Sequence, residues 1–111
     1  MGKAYKVAGQ ALPAAATDAL LYTVPGGANF VESTLSICNQ DISGSPIRFR
    51  VAVVPAGQTL AAKHYLVFDK LLDIADSKFL TLGLSMGPGD MMYVRSSSAN
   101  TSFSLFGVEL S

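Results

Sequence analysis

Short runs that alternate apolar and polar residues follow one another along most of this chain, separated by clusters of turn-forming residues. That pattern is the mark of strands crossing a shared core. The clearest run covers 30–39, where alternation sets Val31, Leu35 and Ile37 on one face and Glu32, Thr34 and Ser36 on the other. Residues 47–54 alternate equally well, with Ile47, Phe49, Val51 and Val53 inward and Arg48 and Arg50 outward. Further strands are predicted over 3–8, 19–24, 64–69, 78–82, 91–96 and 101–110. In the last, Phe103 and Leu105 share one face while Phe106, Val108 and Leu110 share the other. A strand apolar on both faces is either central in a sandwich or packed against a neighbouring subunit. Pro25-Gly26-Gly27, Ser43-Gly44-Ser45-Pro46, Pro55 and Pro88-Gly89-Asp90 punctuate the runs. No helical period is sustained anywhere. The pattern therefore predicts an all-β chain of about eight strands, a single antiparallel β-sandwich of jelly-roll or immunoglobulin-like type. Its expected core is Leu21, Val24, Val31, Leu35, Ile37, Phe49, Val51, Val53, Tyr65, Val67, Leu80, Leu82, Met92, Val94, Phe103 and Leu105.

The 111 residues suit one domain. Residues 1–17, with Lys3, Lys6 and Pro13 but no acid, read as an N-terminal arm or edge strand, expected to order against a neighbouring subunit. Residues 18–111 form the sandwich domain. Apolar residues make up 50% of the chain and charged ones only 14%, against about 25% charged in an average domain. This surplus predicts that part of the surface is covered by other subunits. Eight basic residues balance eight acidic ones, so no positive field draws phosphates and nucleic acid is excluded as an expected partner. No apolar run reaches the roughly 18 residues of a membrane span, and no membrane partner is expected. A secretory signal is interrupted by Gln10 and Pro13, and Lys6 occupies the position where a myristoylation site after Met1-Gly2 requires serine or threonine. Cys38 stands alone, without the companions of a disulfide or a zinc site, and is expected to be buried.

Little of the sequence has catalytic vocabulary. Gly83-Leu84-Ser85-Met86-Gly87 fits the serine-hydrolase signature Gly-x-Ser-x-Gly, which works only where a strand turns sharply into a helix. Pro88-Gly89-Asp90 follows it instead, and His64, the only histidine, precedes the serine. A turn is the better reading. His64 and Asp69 lie an odd number of residues apart on a predicted strand and so face opposite ways. Asp69, Asp73, Asp76 and Asp90 lack the spacing of a calcium loop. No catalytic residue, cofactor or metal is therefore expected. The candidate interface comprises Tyr5, Val7, Arg48, Arg50, Met91, Tyr93 and Phe106, with Arg95 sharing the face of the two arginines.

Gly9-Gln10 with Pro13, Leu21-Tyr22-Thr23-Val24-Pro25, Ser36-Ile37-Cys38-Asn39, Phe49-Arg50-Val51-Ala52-Val53, His64 to Asp69, Val94-Arg95-Ser96 and Phe103 to Leu110 together resemble a family of small virion proteins of tailed bacteriophages. The likeness covers nearly the whole chain in order and spacing. Pro25-Gly26-Gly27-Ala28-Asn29 departs from it, since the family more often has Pro-Ala followed by threonine or serine. The resemblance implies a non-enzymatic virion component, made in the cytoplasm of a bacterial host. Its implied partners are copies of itself, as a homotrimer, and the major capsid or tail proteins of the same particle. Decoration or cementing of the capsid is the leading expectation, with a tail, neck, baseplate or fibre position as the alternative. A host-glycan-binding module is a further class, because sandwich loops often present such sites, though the chain has no tryptophan.

Overall fold

Nine strands make two antiparallel sheets in the computed structural model, which describes residues 2–111. They are β1 (Lys3–Ala11), β2 (Ala19–Thr23), β3 (Asn29–Asn39), β4 (Ile47–Val54), β5 (Tyr65–Leu72), β6 (Ser77–Leu80), β7 (Ser85–Met86), β8 (Met91–Ser96) and β9 (Thr101–Leu110). A single 3-10 turn, Ala62–His64, precedes β5. Sheet I runs β1-β9-β3-β6, with β7 also paired to β3, and sheet II runs β2-β8-β4-β5. The two sheets pack together as the expected all-β sandwich. Only β7 has no counterpart in the sequence pattern, and two residues are too few for alternation to reveal a strand.

The core lies between the sheets. Phe30, Leu35, Ile37, Phe103 and Leu105 of sheet I meet Ile47, Phe49, Val51, Met92 and Val94 of sheet II, all buried. Asn39, Ser96 and Thr101 are buried with them and satisfied: Asn39 donates from Nδ2 to the carbonyls of Leu72 (3.4 Å) and Asp73 (3.0 Å), fixing the β5–β6 turn against β3. Ser96 and Thr101 bond to each other at 2.8 Å across the β8–β9 turn.

Three expected core positions lie elsewhere. In β3, Glu32 and Thr34 pair with the consecutive residues Gly107 and Phe106, leaving Ser33 as an extra residue. This bulge reverses the alternation upstream of it. Phe30 and Glu32 consequently point inward, and Val31 is turned out. Glu32 is tolerated because its Oε1 accepts the N–H groups of Leu82 (3.2 Å), Gly83 (2.8 Å) and Leu84 (3.4 Å), while its Oε2 has no hydrogen-bond partner. The strand β6 ends at Leu80, and Leu82 beyond it is exposed rather than in the core. Gly107 opposite Glu32 is required by space, because a Cβ there would run into the Phe30 ring and the Val31 carbonyl. Tyr65, the third, pairs with Ala52 in the register that opposes Ala52 to Tyr93, and stands on the outer side beside Arg50.

Met1, the first residue of the expected arm, lies outside the described residues. Lys3–Ala11 pairs along its own β9 as the edge strand of sheet I, rather than waiting for a neighbour to order it. Local chemistry favours this: Lys6 reaches Glu109 at 3.0 Å, and Gly9 lets β1 pass so near the Leu21 carbonyl that a Cβ would collide with it. Cys38 is half-buried on the outer side of sheet I, opposite Ser77 and Ser102, instead of in the core.

Candidate functional site

The seven candidate interface residues divide between the two outer faces of the sandwich. Tyr5 and Val7 on β1 stand beside Val108 and Phe106 on β9, and Val31 and Ser33 of β3 flank them. Tyr5 is 77% exposed, Val7 51% and Phe106 36%. Together with Lys6, Ser33, Gly107 and Val108 they line a shallow depression of about 510 Å³. The outward positions along β1, β9 and β3 carry one charge, Lys3, and toward β6 the face becomes uncharged and hydroxyl-rich through Ser36, Ser102 and Ser104. Glu109 lies at the margin rather than on this face. Its carboxylate accepts bonds from the Tyr22 hydroxyl (2.7 Å) and from Lys6. Those two donors, Tyr22 first, hold it below the usual carboxylate range. Burial, with Glu109 beside it, pushes the Tyr22 hydroxyl well up.

Arg48, Arg50, Met91 and Tyr93 belong to the outer face of sheet II. Arg50 lies directly opposite Arg95, Ala52 opposite Tyr93 and Val54 opposite Met91. Met91 and Tyr93 are half-buried and touch each other, with the Tyr93 hydroxyl 3.9 Å from the Met91 sulfur. At the other end, Arg48, Arg50, Arg95, Asp69, Ser97 and Ala16 line a pocket of about 200 Å³. Arg50 grips the Asp69 carboxylate through Nε (2.7 Å) and Nη2 (3.3 Å). Its guanidinium also lies 4.0 Å from the centre of the Phe68 ring and 5.4 Å from that of Tyr65. Arg48 donates to the Asp69 carbonyl at 3.1 Å, and Arg95 reaches Asp18, which also accepts the Tyr65 hydroxyl. The Arg50 bond lowers the Asp69 pKa, and the same bond raises that of Arg50. Sequence reasoning put the three arginines together correctly. It missed Asp18 and Asp69 as their counterions, because bulges in β5 place Phe68 and Asp69 opposite the single Arg50.

Ser85 and His64 are not brought into partnership. Ser85 pairs with Val31 at the rim of sheet I, and Gly87, Gly89 and Asp90 close a turn behind it. His64 packs against sheet II with both ring nitrogens engaged: Nδ1 accepts the Ala61 N–H at 2.9 Å, and Nε2 lies 3.0 Å from Gln58 Oε1. The four aspartates are dispersed likewise, Asp69 to Arg50, Asp73 and Asp76 to the N–H groups that follow them, and Asp90 to Ala56 and Gly87.

In comparisons with family models, with curated proteins and with solved structures, nothing matches this chain.

Proposed function

We propose that this protein is a non-enzymatic structural subunit of a tailed-bacteriophage virion, decorating or cementing the capsid through repeated contacts with copies of itself and with the major capsid protein. The observation that carries the proposal is the outer face of sheet I. Tyr5, Val7, Val31, Phe106 and Val108 lie side by side on paired strands with a single lysine, Lys3, among the outward positions. Depletion of charge with retention of aromatic and aliphatic groups is the composition of an interface centre rather than of free surface. A second copy of the chain is the occupant that the surface fits, since a face with a single charge packs against apolar surface without needing an opposite charge. The sequence resemblance to phage virion proteins supplies the setting, and a trimer is the expected assembly. Counting copies of the protein in purified particles by quantitative mass spectrometry tests the reading. Hundreds per particle support capsid decoration, a small multiple of three or six moves the protein to the neck, baseplate or fibre, and absence from the particle overturns the proposal.

A further inference from the structure

The pocket between Arg48, Arg50 and Arg95 has an arrangement that folding alone does not favour. Arg50 and Arg95 are directly opposed across β4 and β8, and like charges at such positions destabilise a sheet. Arg48 adds a third positive charge on the same face. Asp69 aims its carboxylate at Arg50 from a left-handed backbone conformation, φ +52°, at a bulge in β5. A like-charge cross-strand pair kept at a pocket with a third arginine points to a site held for binding.

The charge count selects the ligand. Three guanidinium groups face two carboxylates, Asp69 and Asp18, which leaves one positive charge. Arg50 is committed to Asp69. Arg48 and Arg95 each use one nitrogen on the protein, the former on the Asp69 carbonyl and the latter on Asp18, out of the five N–H donors each possesses. Ser97 accepts the backbone N–H of Arg48 with its oxygen and so keeps its hydroxyl hydrogen to donate. Planar guanidinium forks match carboxylates and phosphates alike, but a dianionic phosphate would sit against Asp69 with its charge half compensated. A monoanionic carboxylate balances the site.

The residues beside the pocket say what presents that carboxylate. Phe68 and Leu71, both exposed on β5, flank the arginines, with Leu71 directly opposite Arg48. The Phe68 ring is stacked by Arg50 and lies 5.3 Å from the Tyr65 ring in a T-shaped arrangement, so its pocket-side face holds Arg50 and is closed to a sugar. Apolar groups around a cationic pocket fit an acidic side chain set among apolar ones on another protein. We infer that the Arg48–Arg50–Arg95 pocket is a carboxylate-binding site that receives an aspartate or glutamate side chain from a neighbouring protein chain. This site stands apart from the apolar face of sheet I and does not depend on it.

The test follows the arginine Nε–Hε NMR signals while acetate, inorganic phosphate, glucuronate or a terminally blocked peptide with glutamate between two leucines is added. Saturable shifts of Arg48 and Arg95 with acetate, weaker ones with phosphate, and tighter binding of the peptide than of acetate support the inference. Arg48→Gln should weaken peptide binding by about tenfold or more while leaving the rest of the spectrum in place, because Arg48 is exposed. Shifts that never saturate, phosphate binding as tightly as acetate, glucuronate binding more tightly than the peptide, or full affinity in Arg48→Gln would each overturn it.

Discussion

Truncating Phe49 to alanine probes the sandwich at its centre. The residue is fully buried on β4, in the cluster that joins both sheets. Removing its ring forfeits a transfer term of about 2 to 3 kcal/mol. A residual cavity of roughly 50 to 100 Å³ adds about 1 to 2 kcal/mol at the measured dependence on cavity volume. The sum, about 3 to 5 kcal/mol, is a large part of the total stability of a domain this size, which is on the order of 5 to 15 kcal/mol. With a urea m-value of about 2 kcal/mol/M, the unfolding midpoint should fall by about 2 M. Equilibrium urea denaturation followed by far-UV circular dichroism measures this, with Phe79→Ala as the control. Phe79 is exposed on β6, and its loss should move stability by no more than about 0.5 kcal/mol. Equal midpoints for Phe49→Ala and wild type would refute the assignment of inward and outward faces on β4.

Gly107→Ala should destabilise the fold by about 1 to 3 kcal/mol in the same urea assay, since the new Cβ meets the backbone carbonyl of Val31, which cannot swing aside; a neutral outcome would remove the close β9–β3 approach. The depressed pKa of Glu109 predicts a contribution that is complete above the ordinary carboxylate value of 4.5 and is lost as pH falls through the lower folded value. The stability difference between wild type and Glu109→Gln should therefore be largest near neutral pH and shrink toward acid; a difference that grows on acidification would contradict the pairing with Tyr22 and Lys6.

Alternation made most of this fold legible. Residues 47–54, 91–96 and 101–110 are strands with the expected bounds, and Arg48, Arg50, Tyr93 and Phe106 face outward as their positions demand. The misplacements of Val31 and Tyr65, and the missed Asp69, share one physical origin. A bulge at Ser33 exchanges Val31 for Glu32, and bulges in β5 carry Tyr65 to the outer face and bring Asp69 to Arg50. An inserted residue leaves no mark in local composition, because its position is decided by the partner strand. The pairing of 82–84 with the Glu32 carboxylate is equally invisible, since the two segments are distant in sequence and meet only in the folded sandwich. That the seven candidate residues point outward was thus readable residue by residue, but their division between two faces required the topology.

Light scattering on the purified protein, compared with Phe106→Glu, tests most directly whether the outer face of sheet I is an assembly surface. Phe106 is partly exposed at the centre of that face, so a glutamate there should be tolerated by the fold and rejected by an apolar interface. The account predicts a wild-type mass of three times the 11.6 kDa chain, falling to the single-chain mass in Phe106→Glu with an unchanged circular dichroism spectrum. A wild-type protein that stays monomeric at every concentration, or an oligomer indifferent to the glutamate, would contradict it.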